Sequence, residues 1–346
     1  MNRIFILTDY MDKFNISLDE KTHFYSSMNT SKMKELFEKE GVECSVLNFS
    51  ELDLSLDFKG DYFLYQTSED IGQYYRSYIT DVLLVIKSKG GILLPNFDYY
   101  YAHHNKCYME LMRSQFKNEE LKSIKSRVYG TLQDGIDNEN EFPVVIKCAS
   151  GSASQGIYLC KDKKEFIKNT KKITKCEREN KVKKLLIFLK HKFIDKANVE
   201  SKETIFRKKY IVQDFVPNLN GDYKVLYFGG KYYTLYRKNR ENDFRASGGG
   251  RLFVCNEEEE KGLLDFAKKV VEELDFTIIG MDIAFDGEKY HLLEYQFIHL
   301  GPYTLQTAEY YLKEDNGSFV RIYEKSDLET EFVRSILLYI KEKYNG

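Results

Sequence analysis

Residues 280–296 read Gly280-Met281-Asp282-Ile283-Ala284-Phe285-Asp286-Gly287-Glu288-Lys289-Tyr290-His291-Leu292-Leu293-Glu294-Tyr295-Gln296. Two apolar runs flank an Asp-Gly turn signal, the pattern of a β-hairpin. Residues two apart along a strand share a face, so Glu294 and Gln296 point the same way. A two-residue turn at Asp286-Gly287 would set Asp282 and Glu294 on opposite faces. A three-residue turn, Gly287-Glu288-Lys289, would set them directly across from each other, and the chemistry favours that choice. Two carboxylates and an amide oxygen on one face call for a cation between them, and an all-oxygen donor set suits Mg²⁺. Asp282, Glu294 and Gln296 are therefore candidate metal ligands. His291, expected on the face away from Glu294, should matter for stability alone.

Working outward, Asn256 caps a predicted helix over 257–274, with acidic residues in its first turn where the helix dipole favours them. Its buried stripe is Leu263, Leu264, Ala267, Val270, Val271 and Leu274. Before it, Lys224 to Phe228 and Tyr232 to Tyr236 form a hairpin around Gly229-Gly230, and Tyr210 to Phe215 is a strand. A further strand, Val144 to Lys147, leads into the small-residue loop 151–156, after which Ile157 to Leu159 resumes a strand. The first hundred residues alternate short apolar runs (Ile4–Leu7, Ser45–Leu47, Tyr62–Tyr65, Ile92–Leu94) with helical patterns at 31–40 and 75–88. That alternation predicts a parallel, doubly wound α/β module. No Gly-x-Gly-x-x-Gly follows the first strand, so a dinucleotide fingerprint is missing.

The chain has 346 residues, 42% of them apolar and 31% charged, with a net charge of −2. This supports real cores and two or three domains, and it argues against a protein built to coat nucleic acid. No run of 18 uncharged apolar residues exists, and the four-residue apolar opening is too short for a signal peptide, so a cytoplasmic protein with no membrane partner is expected. The six cysteines lack paired spacing and read as reduced thiols. Charge is uneven: residues 161–209 hold 18 basic and 7 acidic side chains, either a polyanion-facing surface or a solvated helix pair.

Taken together, residues 101–305 resemble the ATP-grasp superfamily, in the manner of its ribosomal-protein–glutamate ligase and glutathione-synthetase types. The resemblance implies two α+β subdomains clamping ATP, preceded by a Rossmann-like module. The implied boundaries are 1–100 for that module, 101–215 for the small subdomain with its basic segment, and 216–346 for the large one. It implies that Lys106 and Lys147 reach the phosphates and that Ser152, Ser154, Gln155 and Gly156 line the phosphate loop. Gln213, Asp214, Phe215 and Val216 would take adenine and ribose. Asp222 and Lys224 open the next strand of the site, Lys224 standing where arginine is commoner. Arg237 and Arg245 would hold the γ-phosphate or a substrate carboxylate, and Ser247, Gly248 and His299 would face the acceptor. Asp282, Glu294 and Gln296 match the magnesium ligands, Gln296 replacing the family's asparagine. The implied activity is ATP- and Mg²⁺-dependent carboxylate–amine ligation, with Mn²⁺ as the alternative metal and small molecules as substrates. A homodimer is expected by family analogy. The rivals are a kinase on the same fold and a nucleotide-binding protein without catalysis.

Overall fold

The computed structural model describes residues 3–18, 25–70, 72–150, 156–176, 204–239 and 252–344. Two compact units emerge: Met1–His103 with Phe116–Ser123 and Pro217–Gly346, and His104–Gln115 with Ile124–Val216.

The first unit begins with β1 (Ile4–Thr8), and a small hairpin of β2 (Asn15–Leu18) and β3 (Tyr25–Ser27) follows. Then come β4 (Cys44–Asn48), β5 (Tyr62–Tyr65) and β6 (Ile92–Leu94). β1, β4, β5 and β6 make a parallel sheet in the order β4-β1-β5-β6, as the alternating pattern predicts. Every residue of β1 and β5 is buried, as expected where both faces of a parallel sheet are covered. Phe5, Phe63, Leu83 and Ile86 belong to the core there, and the rings of Phe5 and Phe63 stack at 4.9 Å.

The second unit holds β7 (Ser126–Tyr129), β8 (Val144–Cys148), β9 (Ile157–Cys160) and β10 (Tyr210–Asp214), an antiparallel sheet in the order β7-β10-β8-β9. Val144, Ile146, Tyr210 and Val212 pack with Phe166 of the helix Lys163–Thr174 on one face. By alternation, Val145, Lys147, Ile211 and Gln213 occupy the other. The helix Lys106–Arg113 lies against β7 and β10.

The rest of the first unit is one antiparallel sheet. Its strands are β11 (Gly221–Phe228), β12 (Lys231–Lys238), β13 (Leu252–Phe253), β14 (Ile278–Phe285), β15 (Tyr290–Gln296), β16 (Tyr311–Asp315) and β17 (Ser318–Ile322). The order is β15-β14-β11-β12-β16-β17, with β13 beside β12. Gly229 and Gly230, both at positive φ, make the two-residue loop between β11 and β12. The helix Glu257–Leu274 starts in a capping box of Asn256 and Glu259. It buries Leu263, Leu264, Ala267, Val270 and Leu274, as the spacing predicts; Phe266 is buried too, while Val271 is only half-buried. This helix and the helix Leu328–Tyr344 both lie against β14. All six cysteines are free. Among the described residues no helix is long and apolar enough to cross a membrane.

Candidate active site

The hairpin β14–β15 does bring Asp282 opposite Glu294, but by a different device from the one its sequence suggests. Phe285 pairs with Tyr290, Ala284 with His291 and Ile283 with Leu292. The Asp286 N–H reaches the Lys289 carbonyl at 3.3 Å, so the loop holds two residues, Gly287 and Glu288, and not three. The register then shifts between Asp282 and Ile283, which makes Leu293 the extra residue of a β-bulge. Asp286 explains why the turn stays tight. Its Oδ1 accepts from the N–H groups of Glu288 (2.8 Å) and Lys289 (2.9 Å), closing an Asx turn. The odd residue is therefore absorbed in the strand.

The bulge also overturns the expected placement of His291. His291 lies across from Ala284, which shares its face with Asp282, so His291 belongs to the carboxylate side of the hairpin. It is buried, with Nδ1 2.9 Å from the Ser123 hydroxyl and Nε2 2.7 Å from Asp286 Oδ2. Its hydrogen bonds pin the turn and keep Asp286 well below the usual carboxylate range, helped by the two backbone donors.

Strand register builds the remainder of the site. Lys224 is the partner of Asp282 on β11, and Arg237 on β12 is the partner of Asp222, two residues before Lys224. Glu294, Asp282, Lys224, Asp222 and Arg237 thus converge on one face. Arg237 Nη2 is 2.7 Å from Asp282 Oδ2, and its Nε and Nη2 donate to both oxygens of Asp222 at 2.6 and 3.0 Å. Lys224 Nζ approaches Asp282 Oδ1 to 3.2 Å. Burial pushes the Asp282 carboxyl up, but Arg237 and Lys224 outweigh it and hold the group well below its ordinary value. Asp222 shares the same guanidinium and lies close to the charge of Asp282, so burial prevails there and its carboxyl rises to about 6. Arg237 is therefore no surface arginine.

The carboxylates of Asp282 and Glu294, side by side on this face, suit a divalent ion. Asp282 Oδ1 is buried, and its approach to Lys224 lacks hydrogen-bond geometry, so it retains acceptor capacity. The oxygen-only set of Asp282, Glu294 and Gln296 fits Mg²⁺. Gly280, opposite Gln296, keeps this floor open: a Cβ there would lie 3.4 Å from Lys224 Nζ and 3.2 Å from Leu300 Cδ2.

In the second unit, the helix that begins at Lys106 is tied to the strand that carries Lys147. The Lys106 N–H donates to the Ala149 carbonyl at 2.8 Å, tying the start of the helix Lys106–Arg113 to the end of β8. Gly156 closes the same end. Its carbonyl accepts from the Cys148 N–H at 3.1 Å, and at φ 69 a Cβ would lie 2.6 Å from Cys148 Sγ. Lys147 and the buried Gln213 share the sheet face opposite the core, with Val145 and Ile211 between them, and the Gln213 amide donates to Ser126 Oγ at 2.8 Å. Asp214 is held by Arg127 at 2.8 Å, a partner without local signal in the sequence. Phe215 and Val216 are half-buried after it. Ser152, Ser154, Gln155, Arg245, Ser247, Gly248 and most of the basic stretch lie outside the described residues. His299 follows β15 in the first unit and adopts φ 51.

No family profile matches the chain, and no curated protein matches its sequence. Solved structures do. A D-cycloserine synthetase is similar over 97% of this chain and 98% of its own, at 12% identity and a TM-score of 0.51. A D-alanine–D-alanine ligase from Bacillus anthracis matches over 99% and 97% of the two chains, at 11% identity and a TM-score of 0.46. An ATP-grasp RimK-domain protein from Sphaerobacter thermophilus DSM 20745 matches over 84% and 90%, at 11% identity and a TM-score of 0.43. The chain has the fold of the ATP-grasp superfamily.

Proposed function

We propose that the protein is an ATP- and Mg²⁺-dependent ligase that activates a substrate carboxylate as an acylphosphate for attack by an amine, releasing ADP and phosphate. The observation that carries this reading is the charged row Glu294–Asp282–Lys224 with Arg237 and Asp222 beside it. Phosphoryl transfer is mostly positioning and charge neutralisation, and this row offers cations and a carboxylate pair on one rigid sheet.

In this reading Lys106, Lys147 and the loop ending at Gly156 hold the phosphates, with Gln213 to Val216 at the base and ribose. Residues 101–215 form the small subdomain and 216–346 the large one, after a Rossmann-like module over 1–100. Asp282, Glu294 and Gln296 hold Mg²⁺, which when bound neutralises the charge that develops on the phosphate oxygens. Lys224 and Arg237, held in the row by Asp282 and Asp222, orient the transferred group. Arg245, Ser247, Gly248 and His299 are assigned to the acceptor. A carboxylate is already ionised at neutral pH, so its attack on the γ-phosphate needs no side-chain base.

The test is ADP release from Mg·ATP in the presence of pooled carboxylates, pooled amines or both. Turnover that needs both pools supports ligation. A stable phosphorylated product formed without amine would make the protein a kinase, and no turnover with either pool would favour a binding protein.

A further inference from the structure

The carboxyl ends of the parallel strands hold a cation that the roles above leave unused. β5 ends where the strand order reverses, with β4 on one side of β1 and β5 and β6 on the other. In open parallel sheets, the crevice outside the strand ends at such a reversal is the preferred place for a ligand. The helix Tyr74–Ser88 follows β5, and Arg76 is in its first turn. That turn holds no acidic residue, although the helix dipole disfavours a cation there. Asp70, just before the helix, is taken up by the N–H groups of Tyr74 and Tyr75 at 2.8 and 3.3 Å.

Arg76 is half-buried and held in place. Its carbonyl accepts from the hydroxyls of Thr80 at 2.7 Å and Tyr100 at 3.0 Å. Its guanidinium lies 5.6 Å from the centre of the Tyr100 ring, and Nη2 donates to the His103 carbonyl. Among the described residues no carboxylate pairs with it. The other described arginines of the first unit, Arg3, Arg237, Arg321 and Arg334, each face one. Glu69, from the same strand end, meets His103 Nε2 at 2.8 Å instead. A fixed, half-buried guanidinium without a counter-ion is a receptor for an anion.

The metal strand runs to the same strand ends. Directly after Gln296, Phe297 stacks on Tyr99 at 3.6 Å and Ile298 enters the core of the parallel sheet. The His299 N–H then donates at 2.8 Å to Gln66 Oε1, just past β5. The His299 ring lies 6.0 Å from that of His103, whose carbonyl holds Arg76. The carboxylate to be activated has cations of its own, Lys224 and Arg237 in the charged row. Arg76 stands on a different element with different contacts, and it suits the charge of the second substrate.

We infer that Arg76 binds a carboxylate of the amine substrate, which is therefore an amino acid. The inference rests on the ligase reading above and names its second substrate. A planar guanidinium takes a carboxylate through paired hydrogen bonds. In an amino acid the carboxylate and the amine are a short, fixed distance apart, so holding the one aims the other at the acyl group.

The test compares amino acids with their carboxamides, which keep the amine and lack the negative charge. Wild type, Arg76→Gln and Arg76→Lys are each given Mg·ATP and pooled carboxylates. The amine is either a pool of glycine, L-amino acids and D-alanine or a pool of the corresponding carboxamides. Hydroxylamine in place of the amine reads activation alone, as a hydroxamate. Wild type should form amide at least about tenfold faster from the amino acids than from the carboxamides, both below saturation. Arg76→Gln should raise KM for the amino acids about 10²-fold with kcat within about threefold, and leave the carboxamides unchanged. Arg76→Lys, which keeps the charge without the fork, should fall between the two. Hydroxamate formation and stabilisation by Mg·ATP should match wild type in both variants. A cooperative melt without ligand shows that each variant is folded, and Arg76→Lys carries the comparison should Arg76→Gln fail to fold. An unchanged KM for the amino acids, or an equal loss with amino acids and carboxamides, would overturn the inference. A loss of hydroxamate would put Arg76 on the activated carboxylate, and a loss of Mg·ATP stabilisation would put it on a nucleotide phosphate; either result refutes the role. Hydroxamate from a wild type that shows no preference for the amino acids refutes the inference alone. A wild type that forms neither product refutes the ligase reading and the inference with it.

Discussion

The two ends of the hairpin β14–β15 carry aspartates four residues apart, both held below the usual carboxylate range for opposite physical reasons. Asp282 is partly buried, desolvation works against its charge, and it stays ionised because Arg237 and Lys224 stand beside it. Asp286 sits at the turn and stays ionised because His291 and two backbone N–H groups donate to it. The first arrangement stores charge of both signs on a sheet face and leaves an acceptor oxygen with unused capacity, which is what a metal and phosphates require. The second consumes its acceptors locally, and what it produces is a tight turn. A depressed pKa therefore marks a candidate site only when its cause is known.

The comparison breaks first at Glu294. Glu294→Gln keeps shape and removes one charge from the metal face, so ATP turnover should fall by about 10²-fold or more while the melting temperature changes little. Steady-state ADP release with calorimetry of the same sample checks both parts. Full turnover in this variant would detach the metal role from the Asp282 row.

Deleting Leu293 sharpens it. If Leu293 is the residue absorbed by the bulge, its deletion heals the strand, Glu294 stays opposite Asp282, and Mg·ATP affinity should remain within about tenfold of wild type. Were the odd residue in the turn, the same deletion would flip Glu294 to the other face and abolish Mg²⁺-dependent binding.

The smallest effect belongs to the far end. His291→Ala leaves the Ser123 hydroxyl and Asp286 without their shared partner, at a cost of about 1–3 kcal/mol, and should lower the melting temperature by a few degrees with little effect on turnover. Asp286 has a folded pKa below its unfolded one, so its contribution is present above about pH 4 and is lost as the pH falls further. Thermal melts between pH 3 and pH 7 should accordingly show a shallower acid limb in His291→Ala than in wild type. An unchanged acid limb would show that Asp286 draws no stability from His291.

Local chemistry made much of this legible in the sequence. The strands Tyr62–Tyr65 and Ile92–Leu94, the Asn256 cap and the Gly229-Gly230 loop all follow from patterns a few residues long. The β16–β17 hairpin and the helix Leu328–Tyr344, which the sequence analysis leaves unread, carry signals of the same kind: Asn316-Gly317 with both residues at positive φ, and the periodic Leu328, Phe332, Ile336 and Ile340. The bulge had none, because nothing in Leu292-Leu293 says which leucine is surplus. It follows from a contest between the Asx turn of Asp286 and the pairing of Asp282, which only the folded hairpin stages. Glu69 and His103, and likewise Arg127 and Asp214, are far apart in the chain and meet only in the fold.

The most direct test of the central claim is a thermal-shift titration of wild type and Glu294→Gln with ATP, in Mg²⁺ and in EDTA. A saturable stabilisation of wild type that needs Mg²⁺, of about 2.7 kcal/mol at a hundredfold excess over Kd, should lose its Mg²⁺-dependent part in Glu294→Gln. No stabilisation of wild type, or the same Mg²⁺ dependence in both proteins, would contradict it.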